Sequence, residues 1–121
     1  MAEQEKNPTF DEGLTAQMRG DLETAISIFE KVIEREPAHA AAHHQMGRCY
    51  MKRGEFERAI PCFETTVRIG PDRIAARLDL GMLYLRMESV QKAKAQFLKA
   101  LSLTSSNVKA ISGLGFVHFH E

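Results

Sequence analysis

The chain has 121 residues, the length of one domain. Apolar residues make up 44% and charged residues 26%, which places it among globular chains and speaks against wholesale disorder. Sixteen Lys and Arg balance sixteen Asp and Glu, and this zero net charge argues against a general binder of nucleic acid or anionic membranes. No run of apolar residues is long enough to span a bilayer, so no membrane insertion is expected. The opening MAEQEKNPTF is polar and lacks the apolar stretch of a secretion signal, so a cytoplasmic location is expected. Two cysteines, Cys49 and Cys62, exclude a disulfide-dense scaffold and a four-cysteine zinc site.

In chain order, the first clear element is a stripe of Leu22, Ala25, Ile26, Phe29, Val32 and Ile33. Steps of three and four predict an amphipathic helix. Before it, Glu12-Gly13 and Ala16 mark a weaker helix that turns near Gly20. Pro37 ends this first pair. The stretch AAAHHQMGRCYMKRG then has few β-branched residues and stops at Gly54, where a helix C-terminus favours glycine. Phe56, Ala59, Ile60, Phe63 and Val67 form the next stripe, closed by Pro71. Pro61 lies inside it, where a local bend is expected rather than a break. A third pair turns near Glu88, carries Val90, Ala93, Phe97, Ala100 and Leu101, and ends near Ser105. VKAISGLGFVHFHE holds one more helix. It would cap the array, or belong to a longer one.

One period joins these elements. Glycine recurs at 13, 47, 81 and 115, alanine at 25, 59 and 93, and phenylalanine at 29, 63 and 97, always at intervals of 34. Pro37 and Pro71, and Tyr50 and Tyr84, keep the same spacing. The period and the order Leu-Gly, Tyr, Ala, Phe, Pro resemble the tetratricopeptide repeat family. The second pair supplies Met46-Gly47, Tyr50, Ala59, Phe63 and Pro71, and the third Leu80-Gly81, Tyr84, Ala93 and Phe97. The family's tryptophan is absent, with Thr9, His43, Arg77 and Ile111 in its place. The resemblance covers about residues 6–121. It implies an all-α fold: a right-handed solenoid of three helix pairs plus one terminal helix, seven helices in a single domain. The repeats would fall at about 6–39, 40–73 and 74–107, with the terminal helix at 108–120. Gly47 and Ala59, like Gly81 and Ala93, would let the paired backbones approach, with Phe63 and Phe97 filling the space beside them.

The resemblance also implies a function. In the family, first helices line a concave groove. The matching stripe here is Phe10, Leu14 and Gln17, then His44, Arg48 and Met51, then Leu78, Met82 and Leu85, then Ser112, Phe116 and Phe119. Most are apolar, as suits a groove for an extended peptide or an amphipathic helix of another protein. Leu80, Gly81 and Tyr84 are assigned to the core, so polar replacement of the groove residues should leave folding nearly intact. Some family members clamp acidic C-terminal tails with Lys, Asn and Arg. The matching positions here hold Phe10, Leu14, Gln45, Ala75 and Asp79, so clamp-type binding is disfavoured.

Other chemistries find little support. The five histidines lack a third partner at metal-ligand spacing, and no metal or other cofactor is expected. Both cysteines read as buried thiols, and no phosphate loop or nucleophile elbow is present, so no enzyme is expected. The expected function is an adaptor or assembly scaffold. The alternative is a structural protein that self-associates, end to end or through the terminal helix. Uneven charge motivates it: residues 1–39 carry a net −5, residues 40–73 a net +2 and residues 74–107 a net +3.

Overall fold

Seven α-helices and no strand occur among the described residues, 7–104 and 106–120, of the computed structural model. They are α1 (Phe10–Met18), α2 (Leu22–Arg35), α3 (Ala40–Lys52), α4 (Phe56–Ile69), α5 (Ile74–Arg86), α6 (Val90–Leu103) and α7 (Val108–His120). The turn expected at Ser105 lies outside the described residues. α4 runs unbroken through Pro61, whose ring is exposed.

The turn inside each helix pair is the same device used three times. Gly20, Gly54 and Glu88, again 34 apart, take positive φ of 80°, 78° and 60°. At each, one backbone bond reaches back three residues: Gly20 N–H to Gln17 O, Gly54 N–H to Met51 O, and Glu88 N–H to Leu85 O, all at 3.0 Å. The next residue reaches back five, from Asp21 to Ala16 (3.0 Å), Glu55 to Tyr50 (2.9 Å) and Ser89 to Tyr84 (2.8 Å). This is a Schellman motif, which satisfies the last carbonyls of a helix and needs a left-handed residue. Glycine takes that conformation freely, whereas a Cβ there costs about 1–2 kcal/mol. Glu88→Gly should therefore raise the stability of the chain by about 1 kcal/mol. Urea melts of the two proteins would measure it, and an unchanged or lower midpoint would contradict the argument.

The turns between pairs also repeat. His39 N–H bonds Glu36 O, Arg73 N–H bonds Gly70 O, and Asn107 N–H bonds Thr104 O, at 3.0, 3.1 and 3.1 Å. His39 Nδ1 then accepts from Ala42 N–H, and Asn107 Oδ1 from Ala110 N–H, each capping the helix that follows.

The chain gathers into two compact units, residues 1–65 and 66–121, with the boundary inside α4. In the first, Ala16, Ala25, Ile26, Phe29, Val32, Ala42 and Cys49 form a buried cluster, with Phe10, Leu14, Met46 and Tyr50 packed on its edge. A Cβ on Gly13 would lie 2.5 Å from Phe29 Cε1, and one on Gly47 would lie 2.8 Å from Phe63 Cε1. In the second unit, Leu80, Leu83, Ala93, Phe97, Ala100, Ala110 and Val117 are buried. Phe97 is wedged between two glycines: a Cβ on Gly81 would come within 2.8 Å of its ring, and one on Gly113 within 2.5 Å. Gly113 is thus what lets α7 close onto α6. A cation lies over each tyrosine of the period, Arg58 at 6.0 Å from the Tyr50 centroid and Lys92 at 5.8 Å from that of Tyr84.

Candidate peptide-binding groove

The second compact unit holds a groove between α5 and α7 with a volume of about 670 Å³. α5 contributes Leu78, Met82 and Leu85, and α7 contributes Val108, Ser112, Gly113 and Phe116. Asp79, Arg86 and Lys109 add one acidic and two basic side chains to this lining. Met82 is 50% exposed and Phe116 49%, so both present large apolar surface to solvent. Leu78 is only 8% exposed.

Five residues of the expected stripe thus meet here: Leu78, Met82, Leu85, Ser112 and Phe116. Phe119 does not. It is 84% exposed and is not among the lining residues; it lies almost one turn beyond Phe116, the last residue of α7 that lines the groove. In the first compact unit, Phe10, Leu14 and Gln17 are half-buried on α1, while on α3 Arg48 is exposed and Met51 half-buried. His44 is 6% exposed, its ring edge-on to Phe63 with centroids 5.6 Å apart. Phe10 likewise lies 5.6 Å from the Phe29 ring and 4.9 Å from His39.

This corrects the expectation that polar replacement anywhere on the stripe spares the fold. The residue three places before each periodic glycine, at 10, 44 and 78, lies on nearly the same helix face as that glycine. For Phe10 and His44 the ring packs against the phenylalanine of its own pair, and Leu78 at the third such place is also buried. The outer groove surface begins at the next turn, with Met82.

The missing tryptophan also has a structural account. His43 Nε2 lies 2.9 Å from Pro37 O, and Arg77 Nε donates to Pro71 O at 2.8 Å. Both side chains fold back on the proline that ends the preceding pair. Arg77 also donates from Nη1 to Gln96 Oε1 at 3.0 Å, tying α5 to α6. The periodicity of polar residues at 43 and 77 was the available signal. No residue type in the sequence announces a bond to a proline carbonyl.

The thiols are ill-suited to chemistry. Cys49 and Cys62 are free and buried. Burial pushes the Cys62 thiol up to about 11, with the neighbouring Cys49 and Glu30 acting in the same direction. Burial also raises Cys49, against a smaller opposing effect of Lys52. Both are protonated at neutral pH and therefore poor nucleophiles. Among the described residues, no three His, Cys, Asp or Glu side chains are grouped to hold a metal ion, and no helix is long and apolar enough to cross a membrane.

Paired helices, one period shared by turns and core, and a groove lined by first helices define a helical-repeat solenoid of the all-α class. Models of the tetratricopeptide repeat match residues 16–75 and 74–107, and the chain belongs to this family. No curated protein sequence matches it. Its structure is similar to the first TPR of Spaghetti (RPAP3) bound to the HSP90 peptide SRMEEVD, with a TM-score of 0.85 at 17% identity, over 91% of this chain and 87% of that one. The second TPR domain of human RPAP3 in complex with the HSP70 peptide SGPTIEEVD gives 0.82 at 21% identity, over 89% and 90%. MamA residues 41 to the end from Desulfovibrio magneticus RS-1 gives 0.82 at 27% identity, over 92% of this chain and 63% of that one. The present chain thus spans less than two thirds of the MamA chain.

Proposed function

We propose that this chain is a protein-interaction module, serving as an adaptor or scaffold, whose groove takes a peptide or amphipathic helix through apolar anchors. A cytoplasmic location is part of the same reading. The observation that carries it is the groove between α5 and α7, where Met82 and Phe116 hold large apolar surfaces in solvent. The peptide complexes of the two RPAP3 domains support a peptide as the ligand class. The positions of a two-carboxylate clamp hold Phe10, Leu14, Gln45, Ala75 and Asp79 here, so apolar anchoring is favoured over capture of an acidic tail.

Selection of a displayed library of short peptides against the chain tests this. Enriched sequences should carry apolar anchors, and the SRMEEVD peptide should bind weakly or not at all. Met82→Ser or Phe116→Ser should lower affinity for a selected peptide about tenfold, since full burial of such a side chain is worth about 1.5–3 kcal/mol. No enrichment, or selected peptides indifferent to both substitutions, would remove the groove from consideration.

A further inference from the structure

The groove between α5 and α7 carries charge toward its two ends, and the ends differ. Short connections join α5 to α6 and α6 to α7, so α5 and α7 both run antiparallel to α6 and parallel to each other. The Phe97 ring fixes their relative height, because Gly81 of α5 and Gly113 of α7 both abut it. Heights then follow at about 1.5 Å per residue. Asp79 and Lys109 lie on the side of the helix N-termini, about 3 and 6 Å from the level of the ring. Phe116 and Arg86 lie on the other side, about 4.5 and 7.5 Å from it. One end thus holds a carboxylate and an ammonium at similar heights. The other holds an exposed guanidinium just beyond the level of the exposed Phe116. Among the described residues that line the groove, Asp79 is the only acid, and it stands nearly two turns from Arg86, about 10 Å along the axis.

On the proposal above that the groove binds a peptide, we infer that this peptide carries an internal Asp or Glu side chain on the Arg86 side of its apolar anchor, about 6 Å beyond the side chain seated on Met82. A guanidinium holds a carboxylate through two parallel hydrogen bonds. Arg86 makes contacts within the chain, and its five N–H donors allow a further partner. Apolar contact at Met82 and Phe116 sets the affinity, and the charge sets the direction in which the peptide lies. Reversed in the groove, the same peptide would lose the guanidinium and bring its acid toward the Asp79 carboxylate. The acid is a side chain within the peptide, so no clamp for a terminal carboxylate is needed.

Peptides selected from a displayed random library against the full chain, then synthesised with both ends blocked, are the probe. They should share an Asp or Glu at a constant offset from an apolar anchor. By fluorescence anisotropy, Arg86→Gln should weaken their binding about two- to fivefold, the range of an exposed ion pair, and high salt should erase the difference. On the wild-type chain, changing the shared acid to Lys should weaken binding about fivefold or more. That Lys peptide should bind Arg86→Glu more tightly than it binds the wild type, a gain that a misfolded variant does not give. Selection against Arg86→Glu should return Lys or Arg at the same offset. An acid preference that persists in Arg86→Glu overturns the inference. So does a lower melting temperature with the charge preference unchanged, which would confine Arg86 to steadying the last turn of α5. Met82→Ser separates the inference from the groove itself. If it weakens binding while the Arg86 substitutions do nothing, the groove stands and the inference falls. If neither has an effect, or no peptide is enriched, both fall.

Discussion

Replacing Phe97 by alanine is expected to cost about 3–5 kcal/mol, the largest effect of any single substitution argued for this chain. The ring is fully buried, and its neighbours cannot relax into the space it leaves. Two of those neighbours are glycines, Gly81 and Gly113, with no side chain to swing inward. The cavity would stay open, and cavity volume governs the size of the loss. The damage should also be local. Stability in repeat proteins is a sum over neighbouring elements, so α5, α6 and α7 should lose amide-exchange protection well before α1 to α3. A loss under about 1 kcal/mol would mean that the Gly-Phe-Gly sandwich is not the centre of this unit.

The second expected result is a contrast between neighbours on one helix. Leu78→Ser should cost about 2–5 kcal/mol, in the range of leucine truncation in cores, because the side chain is buried and the new hydroxyl needs a partner. Met82→Ser should cost about 0.5 kcal/mol or less, because half of its surface is already in water. The two residues stand four apart on α5 and both line the groove. A pair of thermal melts separates them. Equal losses would mean either that Leu78 is open to water or that Met82 closes the core.

This contrast shows where sequence reasoning succeeds and where it stops. The pairing of helices and the Gly, Ala and Phe core were legible because one period repeats them, and each repetition is an independent instance of the same packing. The placement of residues 10, 44 and 78 was not. A stripe drawn on a helix gives direction only to within a fraction of a turn, and these residues sit at its border. What decides them is the reach of a phenylalanine ring from the paired helix, which periodicity does not record. Phe119 was grouped with Phe116 because the two stand three apart on α7, and periodicity does not record where along a helix a groove ends. The turn at Glu88 was legible as a turn. Its left-handed backbone was not, because glutamate carries no sign of it; only the register shared with Gly20 and Gly54 does.

That shared turn has a consequence for how such a chain can change its length. The backbone leaves one helix and enters the next through the same two hydrogen bonds at Gly20, Gly54 and Glu88. A segment removed or duplicated between Gly54 and Glu88 therefore joins ends of matching geometry, with no new loop to be devised. Changes of 34 residues meet a ready-made junction, whereas any other number must break a Schellman turn or misplace a glycine against its ring. The molecule grows or shrinks in whole steps, as a chain of links does, and the left-handed residue is the clasp.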